Sequence, residues 1–526
     1  RQIWMLTIYF SVIISVMESR TNKTLKNAKV ALFFYVANLL LSFISRRIFI
    51  SYLGSEILGL NTTIVNLLSF LNLAELGIGA AVSYALYGPL FANDKRTINE
   101  IVSLQGWLYR KIGFLVIGGA GILMLFFPLM FSNISFPLWY TYASLIVLLI
   151  SSLLGYFVNY QQIVLNADQK EYKITFAIQG CRIVKVCLQI LFVYYSDHGY
   201  IYWLLIEFIM AFVTSFGLNL IIRKEYPWLK GIPSSGKKLS KKYPGIIIRT
   251  KQLFFHKFSG FVLTQTSPLI LYAYTSLTLV AIYGNYMLIV TGVSFLLNAI
   301  LNSVGAGVGN LVAENDMEKI MRIFWEINSF RIWIASVCCF CMYELSNSFV
   351  CLWVGEEYLL SNATLIILII YAFITLTRTC DIFLGAYGLY HDIYAPIIEA
   401  CLNIGCSIFL GYYCGITGIV GGVVISLVVV VTIWKPYFLF KRGFKQKVYT
   451  YFSVYIKLIL LITLSFIISM FLGDYVYKDF CVIGVFSWCK YALGVLLVYA
   501  LVSISFFYCF DIGMRTFLCR VKRIFL

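Results

Sequence analysis

Residues 175–222 read TFAIQGCRIVKVCLQILFVYYSDHGYIYWLLIEFIMAFVTSFGLNLII. The stretch contains two apolar segments separated by a short polar gap at residues 196–199. Each segment has the length of about 20 residues that an α-helix needs to cross a bilayer. Because the gap is so short, the second helix must cross back beside the first. The stretch therefore predicts a membrane protein whose chain crosses the bilayer repeatedly.

The same pattern continues along all 526 residues, of which 61% are apolar and 12% are charged. A soluble domain carries about 25% charged residues, so this composition excludes a soluble protein. We predict an all-α integral membrane protein with about 14 transmembrane helices. They lie near residues 30–50, 57–87, 112–132, 138–165, 175–196, 200–222, 255–275, 279–308, 332–353, 363–388, 396–413, 416–438, 453–473 and 488–510.

Basic residues give the orientation of these helices. Most of the 41 Lys and Arg lie in alternate gaps between the apolar segments, whereas Lys478 and Lys490 lie in the opposite set. Cytoplasmic loops carry such an excess, so we expect both termini in the cytoplasm. The net charge of +18 does not indicate nucleic acid, because these loops face anionic lipid and no nucleic-acid-binding motif is present.

A basic segment, residues 223–254, divides the chain. It holds nine Lys and Arg against one acid, together with three prolines, a composition typical of a flexible linker. Similar stretches recur at a steady offset on its two sides, such as ANDKRTINEI at 92–101 and ENDMEKIMRI at 314–323. Two six-helix bundles in parallel pseudo-repeat explain this pattern. The predicted parts are an extension at 1–16, an N-terminal bundle at 17–222, a basic cytoplasmic linker at 223–254, a C-terminal bundle at 255–440, and two additional helices with a basic tail at 441–526.

Residues 1–16 precede Met17 and a basic stretch, and they lack the features of a signal peptide. We expect the natural chain to begin at Met17, with residues 1–16 as upstream translation. A genuine interfacial helix is the alternative.

Charges inside apolar segments are candidates for function, because a bilayer tolerates them poorly. Arg182 and Lys185 lie about 13 and 18 Å inside the cytoplasmic edge at 1.5 Å per residue, too deep for snorkelling to serve both. They must face an aqueous cavity with an anionic substrate, or pair with an acid such as Glu207 on the next span. Their polar stripe covers roughly a 120° arc of one helix. It consists of Thr175, Gln179, Arg182, Lys185 and Gln189.

Two earlier spans also carry charges. Arg46 and Arg47 lie near the outward end of the first span, where snorkelling to the interface is the alternative to facing a cavity. Glu75 lies on the second span, three residues after Asn72. Burial would raise the pKa of such a carboxyl group, and pairing with Arg46 or Arg47 is the alternative.

Spans in the second half carry a similar set. Arg378 and Asp381 are three residues apart on the tenth span, so they could neutralise each other. Glu399 lies in the predicted first turn of the eleventh span, where the helix dipole favours an acid. It shares one helix face with Asn403 and Ser407.

Motifs for covalent or cofactor chemistry are absent from the sequence. There is no P-loop and no H-E-x-x-H, the three His residues are scattered, and the 14 cysteines lack ligand spacing. We expect no enzyme activity and no cofactor, and a transport process driven by an ion or substrate gradient.

Several stretches together resemble one family of transporters. The chain is similar to the multidrug/oligosaccharidyl-lipid/polysaccharide exporter superfamily, and within it to the polysaccharide transporters, the Wzx-type O-antigen flippases. The resemblance covers roughly residues 24–440. The stretches that carry it are RRIFISYLGSEILGLN (46–61), LNLAELGIG (71–79), LNADQKEYKITFAIQ (165–179), GNLVAENDMEKIMRIF (309–324), CLWVGEEYLLSN (351–362) and PIIEACLN (396–403).

The resemblance implies two six-helix bundles around a central cavity that opens alternately to each side. It implies a flippase that moves undecaprenyl-pyrophosphate-linked oligosaccharide across the bacterial cytoplasmic (inner) membrane for O-antigen or capsule assembly. Implied partners are membrane lipid, H⁺ or Na⁺, and polysaccharide polymerase and chain-length proteins. Substrate binding then falls to Arg182, Lys185, Gln179, Gln189, Arg46, Arg47 and Arg378, and ion coupling to Glu75, Asp381 and Glu399.

Two other functions compete with this one. A multidrug or small-molecule antiporter on the same scaffold should favour an acid-rich cavity, whereas the stranded charges here include more cations. A polytopic polysaccharide polymerase or glycosyltransferase usually carries a large outward loop, and every outward gap here is short.

Overall fold

The computed structural model describes residues 2–301, 308–309, 311–312, 314–389, 394–476 and 484–525. Within these ranges the backbone is almost entirely helical and contains no β-strand, which confirms the all-α class. The chain divides into two compact units, Arg1–Phe261 and Val262–Leu526. The domain boundaries expected from the sequence stay predictions.

The first unit is built from long apolar helices linked by short turns. Two of the membrane helices are interrupted by 3₁₀ segments at Asn72–Glu75 and Asn159–Gln162. The helices are α1 (Gln2–Leu53), α2 (Ser55–Leu71), α3 (Ile78–Phe91), α4 (Lys95–Met130), α5 (Trp139–Phe157), α6 (Ile163–Ala167), α7 (Glu171–Tyr195), α8 (Gly199–Glu225), α9 (Gly236–Lys242) and α10 (Pro244–Tyr274), which crosses the unit boundary.

The second unit continues with helices of the same kind. Segments of π-helix at Val428–Trp434 and Leu439–Phe444 flank its shortest helix. The helices are α11 (Leu277–Leu301), α12 (Met317–Trp353), α13 (Asn362–Leu376), α14 (Thr379–Ala386), α15 (Tyr394–Leu427), α16 (Lys435–Phe438), α17 (Val448–Val476), α18 (Val485–Phe510) and α19 (Ile512–Phe525).

Among the described residues, 12 helices are long and apolar enough to cross a membrane. One of them, Tyr394–Phe444, has 51 residues and contains two predicted spans. These spans meet at Gly415, where φ is 55° and the helical path is broken. The predicted span 255–275 lies in α10. The predicted spans therefore all coincide with helices wherever the structure describes them.

The two arms on either side of Gly415 form an antiparallel hairpin. Gly418 lies against the backbone of Leu410, and Gly422 lies against the backbone of Ser407, so a Cβ atom on either glycine would overlap the opposite arm. The Ser407 Oγ donates a hydrogen bond to the Ile419 carbonyl oxygen at 2.9 Å. Small residues at such contacts let membrane helices approach closely.

Two long helices begin in the same way in the two halves of the chain. Asp94 caps α4 by accepting hydrogen bonds from the amides of Arg96 and Thr97, and Asp316 caps α12 by accepting one from the amide of Lys319. The preceding Asn93 and Asn315 have φ values of 52° and 57°. The similar stretches ANDKRTINEI and ENDMEKIMRI therefore both lead into the first turns of long membrane helices, and the shared caps support the pseudo-repeat.

Segment 223–254 is folded against α4 instead of forming a flexible linker. The backbone amides of Lys230 and Ile232 donate hydrogen bonds to the Asn99 and Ser103 side chains at 2.6 and 2.8 Å. These polar residues of α4 satisfy the backbone of a segment that lacks regular structure there. The prolines and glycines of the segment therefore shape a packed connection.

Candidate functional site

A pocket of about 260 Å³ lies within the first unit, where α5, α7 and α8 meet. Arg182 and Lys185 of α7 both line it, and Glu207 of α8 lines it as well. The structure therefore places the two intramembrane cations of the sequence stripe at one cavity. The other polar side chains in its lining are Ser151, Asn159, Gln162, Thr214 and Ser215.

Lys185 is paired inside this pocket. Its Nζ atom lies 2.7 Å from Oε1 of Glu207. The Gln189 Nε2 donates to the other carboxylate oxygen of Glu207 at 3.1 Å and to the Trp203 carbonyl oxygen at 3.2 Å. Gln189 is buried, so this amide fixes the orientation of the carboxylate. The pairing that the sequence left as an alternative therefore occurs for Lys185.

Arg182 differs from Lys185 although both line the same pocket. Its side chain is exposed, and it forms no ion pair with any residue that the structure describes. Gln179 is half-buried and lies outside the pocket lining. Arg182 is thus the group of the stripe that remains available to an anion.

Arg46 and Arg47 lie on α1, away from this pocket. Arg46 is half-buried, whereas Arg47 is exposed. Adjacent residues of a helix point about 100° apart, which explains why the two environments differ. The structure does not bring either guanidinium into the lining that Arg182 and Lys185 share.

Glu75 lies at a break between α2 and α3. The break consists of the 3₁₀ turn at Asn72–Glu75 followed by Gly77, whose φ is 93°. The Tyr109 Oη donates a hydrogen bond to Oε1 of Glu75 at 2.9 Å. Within the described chain Glu75 forms no ion pair, so the expected alternative of pairing with Arg46 or Arg47 does not occur.

Charged residues of the second unit form one cluster. Arg378 lies 3.8 Å from Asp381 and 3.6 Å from Glu399, measured between guanidinium nitrogens and carboxylate oxygens. The Lys435 Nζ lies 2.7 Å from the other oxygen of Asp381. The sequence suggested the pairing of Arg378 with Asp381 but gave no sign of Lys435, which lies far from Asp381 in the chain. Both carboxylates therefore have cationic neighbours.

Arg331 is a buried cation that the sequence analysis missed. Its Nε donates to the Leu376 carbonyl oxygen at 2.6 Å, and Nη2 donates to Oδ1 of Asn298 at 3.0 Å. Leu376 is the last residue of α13, so this guanidinium satisfies a carbonyl group that the helix end leaves without a helical partner. In the sequence Arg331 lies just before an apolar segment, where nothing nearby indicates its partners.

Corresponding helices of the two halves are interrupted at corresponding places. In the first unit the chain changes from α5 to α6 through the 3₁₀ turn Asn159–Gln162, and Asn159 lines the pocket. In the second unit it changes from α13 to α14 at Thr377 and Arg378, and Arg378 belongs to the charged cluster. Interrupted membrane helices expose polar backbone groups at binding sites of transporters.

The stretch LNADQKEYKITFAIQ begins with a charged cluster outside the pocket lining. The Lys170 Nζ lies 2.8 Å from Asp168 and 3.2 Å from Glu225, and the Tyr226 Oη donates to Asp168 at 2.7 Å. Burial lowers the pKa of Lys170, but hydrogen bonds to Asp168 and Glu225 outweigh it and raise the pKa above its ordinary value. This part of the stretch joins α6, α7 and α8.

Solved structures share the fold of this chain, although no family model and no curated sequence matches it. The chain is similar to the solved structure "Lipid II flippase MurJ, inward closed conformation", with a TM-score of 0.62, 16% identity, and coverage of 91% of this chain and 98% of that one. It is also similar to an inward-facing multidrug resistance MATE family transporter of the MOP superfamily, with a TM-score of 0.59, 15% identity, and coverage of 78% and 97%. The chain therefore has the fold of these membrane transporters.

Proposed function

We propose that this protein is a secondary-type flippase of the MOP superfamily. It moves an oligosaccharide linked to undecaprenyl pyrophosphate from the cytoplasmic to the periplasmic leaflet of a bacterial inner membrane, for O-antigen or capsule assembly. The observation that carries the proposal is the pocket of the first unit, where Arg182 has no acidic partner among the described residues.

Arginine in this position suits a phosphate-bearing substrate. An unpaired cation inside a membrane is costly, and an anionic substrate group would compensate it. The planar guanidinium can bind two phosphate oxygens at once, while the neutral Lys185–Glu207 pair adds polar contacts without repelling the anion. The likeness of the fold to a lipid II flippase supports a lipid-linked substrate.

The ion-coupling role falls to Glu75 in this proposal. Its carboxylate contacts the Tyr109 hydroxyl and has no basic partner within the described chain, so a coupling ion can bind there without breaking an ion pair. Asp381 and Glu399 already lie beside Arg378. Coupling to an ion through Glu75 is therefore simpler than coupling at the cluster of the second unit.

Replacing Arg182 tests the substrate role. Arg182→Ala should leave the protein inserted and abundant but reduce surface polysaccharide by at least about tenfold, since one charge-assisted contact contributes about 1.5–3 kcal/mol. Arg182→Lys should retain part of the surface polysaccharide, because lysine keeps the positive charge but lacks the planar guanidinium group. The measurement is surface polysaccharide per unit of membrane protein in a complemented deletion strain.

Arg223→Ala is the matched control, because Arg223 is an exposed arginine on α8 that lies outside the pocket. It should leave output unchanged. Normal output from Arg182→Ala at normal abundance would contradict a cationic pocket that binds substrate.

A multidrug antiporter is the second candidate, supported by the likeness to a multidrug resistance transporter. The two functions predict different phenotypes of a deletion strain. If the protein is a flippase, the deletion strain should accumulate lipid-linked oligosaccharide on the cytoplasmic face of the membrane. If it is an antiporter, the deletion strain should become sensitive to cationic drugs and keep its surface polysaccharide.

A further inference from the structure

A second concave surface lies in the first unit, separate from the Arg182 pocket. It is a groove of about 340 Å³ between α3, α4 and the first turns of α10. Ala81, Ala85 and Pro89 form one wall, Ile101 lies opposite on α4, and Ile246 lies on α10. The wall of small residues leaves room for a slender apolar chain.

Arg249 stands at the side of this groove. Its guanidinium carbon lies 3.7 Å from the centre of the Tyr84 ring, within the range of a cation–π contact. The side chain is exposed, and it forms no ion pair in the part of the chain that the structure describes. A positive charge that only an aromatic face holds remains free to bind an anion.

The surroundings of the groove are strongly basic. Segment 223–254, which includes Arg249, has nine Lys and Arg and the single acid Glu225. Two acids lie near the groove. Glu100 of α4 is bound by Lys242 and by the Tyr243 hydroxyl at 2.6 Å, and Asp94 caps α4 and accepts a hydrogen bond from the Thr97 hydroxyl at 2.6 Å. The groove therefore lies beside a segment with a large excess of positive charge. Positive-inside patterning predicts that this region faces the cytoplasm.

We propose that the groove binds one anionic glycerophospholipid of the cytoplasmic leaflet, with an acyl chain along α3 and the phosphate on Arg249. The apolar walls favour a lipid over free phosphate, because a soluble ion would leave them exposed to water. The excess of positive charge favours an anionic over a zwitterionic headgroup. The site is independent of the flippase proposal, because it shares no residue with the Arg182 pocket.

Native mass spectrometry of the full-length protein in mild detergent tests the site with phosphatidylglycerol and phosphatidylcholine as probes. We expect retention of one phosphatidylglycerol and little phosphatidylcholine. Ala85→Trp, which fills the groove, and Arg249→Gln, which removes the charge, should each weaken phosphatidylglycerol binding about tenfold.

Two matched variants serve as controls. Ala92→Trp adds the same bulk at an exposed position just after α3, and Lys237→Gln removes an exposed charge of the same segment outside the groove. Both should retain phosphatidylglycerol. Equal retention of both lipids, equal loss in the controls, or displacement by equimolar inorganic phosphate would overturn the proposal. If Ala85→Trp does not fold, Arg249→Gln against Lys237→Gln decides.

Discussion

At the scale of single residues, the pocket of the first unit contains one paired and one unpaired cation three positions apart. Lys185 shares the Glu207 carboxylate with Gln189, whereas Arg182 faces the same space alone. Spacing on a helix placed both cations on one face, but it could not show which of them the acid would bind. The distinction separates a structural role from a binding role.

Removing Lys185 should destabilise the protein more than removing it together with its partner. Lys185→Met leaves the Glu207 carboxylate without its cation and should cost about 2 kcal/mol. This is less than the ~3–5 kcal/mol of a fully buried pair, because solvent screens the Lys185 side chain, which is 24% exposed. Lys185→Met with Glu207→Gln should recover most of the loss. Thermal unfolding in detergent measures both.

The pair of Lys319 with Glu314 provides the comparison, because its side chains are 40% and 52% exposed. Lys319→Met should change the melting temperature little. A double variant that melts as low as Lys185→Met alone would contradict the pairing argument.

Arg331→Met should destabilise the second unit, because the Leu376 carbonyl and the Asn298 side chain lose their donor. An unsatisfied buried carbonyl costs about 1–3 kcal/mol. Arg331→Lys should recover only part of the lost stability, because an ammonium group cannot donate hydrogen bonds in the two fixed directions of a guanidinium group. Unfolding monitored by cysteine accessibility is a suitable measurement. Arg322→Met, an exposed change on the same helix, should be neutral, and equal melting of the two variants would exclude the capping role.

The sequence could show which charged residues are candidates for function, because a charge within an apolar segment is visible without knowledge of its partners. It could not predict the contacts of Arg331 and Lys435. Arg331 binds a backbone carbonyl, which no side-chain pattern reveals, and Lys435 meets Asp381 only because distant helices pack together. Pairs of this kind depend on tertiary structure alone.

At the scale of elements, the interrupted helices set the positions of the polar groups. Gly77 ends one interruption with a φ of 93°, and a Cβ atom there would lie 2.8 Å from the Thr250 carbonyl oxygen. Both the conformation and the close approach therefore require glycine.

Gly77→Ala should reduce folded protein in the membrane severalfold, because it combines a strained backbone with a clash. Gly79→Ala is the matched control: a Cβ atom there meets nothing nearer than 3.8 Å, and Gly79 lies inside α3. It should be tolerated. Fluorescence-detected size-exclusion chromatography gives the amount of folded protein, and equal yields of the two variants would refute the requirement.

Only some of these interruptions have a local signal in the sequence. Gly77 marks the one after Glu75, whereas Asn159–Gln162 and Thr377–Arg378 contain neither glycine nor proline. Apolar periodicity predicts a continuous helix across both. Their position depends on polar contacts from other helices, such as the hydrogen bond from Ser215 to Asn159 at 3.2 Å.

At the scale of the whole molecule, the basic loops predict the orientation in the membrane. Reporter fusions near Ser235 and after Leu526 should behave as cytoplasmic, and fusions near Asn362 and Lys478 as periplasmic. Lys478 lies outside the described residues, so its position rests on the sequence alone. Paired phosphatase and fluorescent-protein fusions make the measurement. A periplasmic signal at Ser235 would reverse the topology.

The hairpin around Gly415 also has a consequence for biosynthesis. Its two arms are joined without a polar loop, and their glycine faces fit one another only when both arms are present. A ribosome delivers the first arm before the second exists, so the first arm enters the bilayer with its contact face exposed to lipid. No charge at the turn can anchor it in the meantime. The first basic residue after Arg378 is Lys435, so the nearest positive-inside signal beyond the turn leaves the ribosome only after both arms have been made.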